Sequence, residues 1–160
     1  TLLLDNLLPG KNLWFLSTGT GLAPFMSLIR EPEAYDRFEK VIVTHTVRDV
    51  EELAYREYIT KDLMEHEFLG EMVREKLLYY PSVTRQDFPT RGRITELMES
   101  GRIYADLGLP PLSPENDRVM LCGSPEMLAD TKARLEALGM KEGSAHEPAH
   151  FVVERAFVDK

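Results

Sequence analysis

Five short apolar runs, each followed by a polar turn, constrain this chain more than any other feature. Leu13-Trp14-Phe15-Leu16 ends at Ser17-Thr18-Gly19-Thr20-Gly21. Val41-Ile42-Val43-Thr44-His45-Thr46-Val47 is rich in β-branched residues and reads as a strand. Lys76-Leu77-Leu78-Tyr79-Tyr80 reads as a third strand, with Pro81 expected to stop it because proline cannot donate to a ladder. Arg118-Val119-Met120-Leu121-Cys122-Gly123 supplies a fourth strand and its turn, and Phe151-Val152-Val153 a fifth. Between them the sequence predicts helices over residues 22–29, 51–65, 94–98 and 125–138. Leu53, Tyr58, Ile59 and Leu63 fall near helical spacing in the second of these. Pro125 suits the first turn of the last, and Gly139 is placed to cap its end. Near-continuous apolar strands need cover on both faces. The predicted class is therefore α/β: a Rossmann-like, doubly wound, parallel five-stranded sheet with helices on both faces. Ligands of such sheets sit beyond the carboxyl ends of the strands, where the strand order reverses. That rule puts residues 18–21, Arg48, Arg85 and Cys122-Gly123-Ser124 on one edge.

Bulk properties narrow the class further. A length of 160 residues suits one domain, and 43% hydrophobic residues suit a real core. The net charge of −8 argues against nucleic acid or an anionic membrane surface as partner. Cys122 is the only cysteine, which excludes an internal disulfide and a cysteine-built zinc site. Its solitude fits a reducing compartment, so a cytoplasmic location is expected. The four histidines, His45, His66, His146 and His150, have no metal-ligand spacing and read as structural. No apolar run reaches the ~18 residues of a membrane span. Thr1-Leu2-Leu3-Leu4-Asp5 is too short and lacks the basic start of a signal peptide. The first residue is not methionine, so the chain reads as starting inside a longer protein or as processed.

The segment Thr18-Gly19-Thr20-Gly21-Leu22-Ala23-Pro24 joins the first strand to the first helix. Two glycines permit a tight turn and close approach of backbone to an anion. A helix start adds unpaired N–H groups and a partial positive charge, so a pyrophosphate would bind there. Pro24 fits because the first helical turn does not need its N–H. A plain strand-to-helix turn is the bland alternative. It is not a P-loop, since no Gly-Lys-Ser/Thr follows.

Ser17-Thr18-Gly19-Thr20-Gly21-Leu22-Ala23-Pro24-Phe25-Met26-Ser27 resembles the nucleotide loop of the ferredoxin–NADP reductase superfamily, and most closely its bacterial ferredoxin (flavodoxin)–NADP reductases. The similarity continues, in order, through Thr44-His45-Thr46-Val47-Arg48, Tyr80-Pro81-Ser82-Val83-Thr84-Arg85, Gly92-Arg93-Ile94 and Cys122-Gly123-Ser124-Pro125. It closes with Phe151-Val152-Val153-Glu154-Arg155-Ala156-Phe157-Val158-Asp159-Lys160. The resemblance implies that residues 12–160 form an NADP(H)-binding domain, with residues 1–11 as the start of the domain or the join to a FAD-binding β-barrel domain that would lie upstream. It implies hydride transfer between NADPH and FAD, then one-electron exchange with ferredoxin or flavodoxin, by a monomer. The isolated chain would have little activity without that flavin domain.

The resemblance also assigns roles. Thr18, Gly19, Thr20, Gly21 and Pro24 would hold the dinucleotide, with Gly123 and Ser124 at a second anion-friendly helix start. Selecting NADP over NAD needs fixed positive charge at the 2′-phosphate, and arginine's planar fork suits it. Arg48 stands where dinucleotide folds often carry an acid for the ribose hydroxyls. Thr84, Arg85 and Arg93 match 2′-phosphate positions, with Arg91 as an extra contact; ordinary solvated charge is the alternative for each. Cys122 matches a position beside the nicotinamide, its alternative being a buried small hydrophobe. Glu154 matches a carboxylate near the flavin, its alternative a solvated strand-end acid. Ala156 stands where plant-type members place a terminal tyrosine over the flavin, and Phe157 begins the extension of the bacterial subgroup. A diaphorase-like or oxygenase reductase that prefers NADH, and a non-catalytic nucleotide-binding module, are the competing readings.

Overall fold

The computed structural model describes residues 3–154. Ala156 and Phe157 lie outside the described residues. Five strands form one parallel sheet: β1 (Asn12–Thr18), β2 (Lys40–Val47), β3 (Leu77–Val83), β4 (Asp117–Cys122) and β5 (Phe151–Glu154). Their order across the sheet is β3-β2-β1-β4-β5. The chain winds outward from β1 to one edge, returns, and winds to the other. The reversal falls between β1 and β4, where Ser17 pairs with Cys122.

Alternate residues of the strands enter two separate cores. Leu13 and Phe15 of β1, Val41 and Val43 of β2, and Met120 and Cys122 of β4 face one side. There they meet α1 (Ala23–Ile29), α2 (Pro32–Arg37) and α3 (Gly70–Lys76) through Phe25, Ile29, Tyr35 and Val73. Trp14, Leu16, Ile42, Val119 and Leu121 face the other side. Their cover is α4 (Ile94–Glu99), α5 (Arg102–Leu107) and α6 (Pro125–Ala137), through Ile94, Leu97, Ile103, Leu128 and Leu135. Two buried faces explain why the strands read as unbroken apolar runs.

Two expectations need correction. β3 runs through Pro81 to Val83 instead of stopping before it. β3 is an edge strand, so the N–H that Pro81 lacks would have faced away from the ladder. Residues 51–65 do not form one α-helix. They hold a 3₁₀ turn at Val50–Glu52 and a π-turn at Tyr58–Asp62. Ile59 and Leu63 are nevertheless fully buried, so the apolar spacing is real but is met by irregular backbone. The α-helix on this crossover is α3, further along. Residues 3–11 pack as an edge of the domain, with Leu4 and Leu7 in the first core and Leu8 N–H donating to Ala149 O (2.9 Å). Among the described residues no helix is long and apolar enough to cross a membrane.

Candidate functional site

The carboxyl ends of the strands switch from apolar to small polar residues. Ser17, Thr44, His45, Thr46 and Ser82 are all buried there. They pair locally: Ser17 Oγ donates to Thr44 O (2.7 Å), and the hydroxyls of Thr46 and Ser82 share a hydrogen bond (2.7 Å). This polar rim is the floor beneath the loops that follow.

The loops after β1 and β4 interlock through glycine. A Cβ on Gly21 would lie 2.3 Å from Cys122 O, and one on Gly123 would lie 2.2 Å from Thr18 Oγ1. Thr18 Oγ1 accepts the Ser124 N–H (3.1 Å), which ties the two turns together. Gly21 thus serves a close approach of the chain to itself. Gly19 carries the positive φ (+52°) and lines the cleft. His45 Nε2 lies 2.7 Å from Gly19 O. Pro24 lies in the first turn of α1, and Ser124 caps α6 by accepting the Met127 N–H (3.2 Å).

The loops after β2 and β3 are zipped side by side. Thr84 N–H donates to Val47 O and Arg85 N–H to Arg48 O, both at 3.0 Å. The chain then doubles back: Val83 N–H donates to Thr90 O and Gly92 N–H to Val83 O, both at 3.2 Å. Gly92 takes φ +135°, a conformation open to glycine. Arg102 steadies this loop by donating from Nη2 to Pro89 O (2.7 Å), while its Nε lies 3.3 Å from Asp106. These backbone bonds bring Arg48, Arg85, Arg91 and Arg93 to one rim.

The rim borders a cleft of about 710 Å³. It is lined by Thr18, Gly19, Arg48, Thr84, Arg85, Arg91, Arg93 and Ser124 among the residues singled out in the sequence. Thr20, Gly21, Pro24, Cys122, Gly123 and Glu154 do not line it. Acids contribute too: Glu52, Glu96, Glu126 and Asp130. Two of them are partly spent, since Glu52 accepts the Asp49 N–H and Glu96 the Arg93 N–H, both at 2.9 Å. Arg93 Nη1 lies 3.3 Å from Glu126 Oε1, and Arg91 3.7 Å from Asp87. Both ion pairs are well exposed, so they hold their arginines weakly. No carboxylate lies within ion-pair distance of Arg48 or Arg85 among the described residues.

Cys122 is fully buried at the end of β4, opposite Glu154 in register. Burial, and then the Glu154 carboxylate, push its thiol up to about 11. It is neutral near pH 7 and shapes the floor as a small apolar group. Iodoacetamide is expected to leave it unmodified in the folded protein near pH 8 and to label it fully in urea, as mass spectrometry would show. Rapid labelling of the native chain would contradict this placement. Among the described residues no three His, Cys, Asp or Glu side chains converge as metal ligands do.

His45 was read from sequence as structural, yet it touches the glycine loop directly. The signals for this in the sequence are its place near the end of β2 and within the Thr44-His45-Thr46-Val47-Arg48 stretch.

Comparison with known proteins follows the same lines. Over 157 residues the chain is 60% identical to ferredoxin–NADP reductase A of Sorangium cellulosum, covering 98% of this chain and 56% of that protein. Over 161 residues it is 56% identical to the ferredoxin–NADP reductase of Pseudomonas aeruginosa, covering 100% of this chain and 62% of that one. A solved ferredoxin NADP⁺ reductase from Neisseria gonorrhoeae, with bound FAD and NADP, superposes with a TM-score of 0.81 at 33% identity. That match covers 95% of this chain and 58% of the other. The chain therefore spans a little over half the length of these relatives. The family model for oxidoreductase NAD-binding domains matches residues 15–133. This stretch contains every loop that lines the cleft, and the chain belongs to that family of oxidoreductase NAD-binding domains.

Proposed function

We propose that this chain is the NADP(H)-binding domain of a flavin-dependent ferredoxin or flavodoxin–NADP reductase. The observation that carries the reading is the four-arginine rim on the cleft beside a glycine turn, with no carboxylate within ion-pair distance of Arg48 or Arg85 among the described residues. Arg48, Arg85 and Arg93, with the Thr84 hydroxyl, bind the 2′-phosphate. The turn at Thr18 and Gly19 and the start of α6 at Ser124 take the pyrophosphate. This orients the nicotinamide toward the β1/β4 crevice, where Cys122 and Glu154 stand at the strand ends and Gly21 and Gly123 close the floor. Cys122 excludes water there without giving up its proton. A bound flavin supplies the exchange between a hydride and single electrons. It would be held mainly by a second domain, and the family resemblance assigns Ala156 and Phe157 roles at it. The electron carrier is a ferredoxin or flavodoxin, and the assembly is a cytoplasmic monomer.

Calorimetric titration with NADP⁺ and separately with NAD⁺ at low salt tests this. NADP⁺ is expected to bind at least about tenfold more tightly, since one charge-assisted hydrogen bond is worth about 1.5–3 kcal/mol. Added salt should erode that preference. Equal affinities would remove the 2′-phosphate assignment and favour an NADH-using flavin reductase.

A further inference from the structure

His45 stands outside the machinery just described, yet it is 1% exposed and its ring reaches across to the loop after β1. We infer that His45 is a positioning residue that fixes the Gly19 peptide, so that the turn before α1 presents its N–H groups to a nucleotide pyrophosphate. This rests on the reading of the cleft as a dinucleotide site.

The chemistry of the contact settles the tautomer. A carbonyl only accepts, so the 2.7 Å contact to Gly19 O requires a proton on Nε2. Nδ1 is buried and meets no partner among the described residues. A neutral ring with Nδ1 bare therefore leaves one buried acceptor unsatisfied, a cost that strand packing alone would avoid with an apolar residue. Burial also lowers the imidazole's affinity for a proton, outweighing the Gly19 carbonyl and the more distant Glu52, so the ring stays neutral near pH 7.

Geometry explains why the loop needs the bond. Gly19 sits in the left-handed region (φ +52°), and a Cβ added there would meet nothing within 4 Å. The loop is anchored on one side by the Thr18 hydroxyl to the Ser124 N–H, and on the other by His45. β2 is the correct strand for that post. Its residue 45 pairs with Ser17, two residues before Gly19. The contact itself touches no arginine of the rim, and the two rim loops are bonded to each other, through Thr84 N–H to Val47 O and Arg85 N–H to Arg48 O, at residues beyond His45.

That separation gives the test. In the full-length flavoprotein, Kd is measured for NADP⁺ and for adenosine 2′-phosphate, which carries the rim's phosphate but no pyrophosphate. His45→Leu is expected to weaken NADP⁺ about tenfold and to change adenosine 2′-phosphate less than about twofold. His45→Gln, whose amide N–H reaches a similar point, should recover part of the loss. Equal weakening of both probes, or none, would overturn the inference, as would a glutamine variant no better than leucine. Wild-type protein that fails to bind NADP⁺ at all would instead sink the dinucleotide reading. A measurement free of substitution stands beside these. Nitrogen-15 NMR of wild-type His45 near pH 7 should show the proton on Nε2, and a proton on Nδ1 would overturn the inference even if no variant folds.

Discussion

Gly21→Ala is expected to lower the stability of this domain by about 3 kcal/mol, the upper part of the usual range for forcing atoms into filled space. For a domain of this size that is a fall in Tm of roughly 6–12 °C. Conformation alone predicts the opposite sign. Gly21 does not have a positive φ, so alanine there would reduce unfolded-chain entropy and stabilise by about 0.4–1 kcal/mol. Collision decides the outcome. The added Cβ would lie 2.3 Å from Cys122 O, 2.6 Å from its carbonyl carbon and 2.9 Å from Gly123 N. These are backbone atoms at the end of a strand buried throughout, and they have no rotamer to yield. Relief must come from pushing the β1 loop away from β4, which also strains the Thr18–Ser124 bond. NADP⁺ affinity should therefore fall together with stability. Gly101→Ala is the control: its φ is +81° and its Cβ meets open space, so only the left-handed cost of about 1 kcal/mol applies. Thermal unfolding of both variants checks the difference. Equal losses would mean that the two loops do not interlock as described.

The position of that glycine also marks how far the sequence could be read. All five strands were legible, because a sheet buried on both faces leaves apolar runs that no exposed element mimics. α6 was legible through Pro125 and Gly139, whose backbone roles are local; Gly139 does take φ +90°. α2, α3 and α5 were missed. Each is six or seven residues long, too short for a helical period to show against its flanks. The Tyr58–Asp62 turn defeated the reading differently: Ile59 and Leu63 are spaced as in a helix, but the Leu63 N–H reaches back five residues to Tyr58 O. At the cleft, residue types were visible and geometry was not. Arg48 and Arg85 adjoin because of two backbone bonds, each between residues 37 positions apart, which no motif encodes. Gly21 was read as room for an anion, whereas the room is taken by Cys122. His45 was set aside because a lone histidine in a strand is usually core, and its partner lies 26 residues away.

Arg85→Ala and Arg93→Ala should each weaken NADP⁺ by about 1–3 kcal/mol, the scale of a lost hydrogen bond to a charged group. That is roughly 5- to 150-fold in Kd. NAD⁺ affinity should hold within a factor of two, since only the 2′-phosphate is served by this rim. The double variant should fall short of the sum, because two groups sharing one phosphate are coupled. Glu126 supplies a change of opposite sign. Its carboxylate lies 3.3 Å from Arg93 Nη1, where it occupies the guanidinium in place of a phosphate. Both side chains are about two-thirds exposed, at 64% and 70%, so the pair is worth only about 0.2–1 kcal/mol. Glu126→Gln should therefore tighten NADP⁺ by no more than about fivefold, through release of Arg93 and removal of a negative charge from the cleft. In an Arg93→Ala background that gain should shrink, because the competition it relieves no longer exists. Two outcomes would count against this account. If Arg93→Ala weakened NAD⁺ and NADP⁺ equally, Arg93 would be shaping the loop and not reading the phosphate. If Glu126→Gln weakened NADP⁺, the ion pair would be aiming Arg93 at the ligand instead of competing with it.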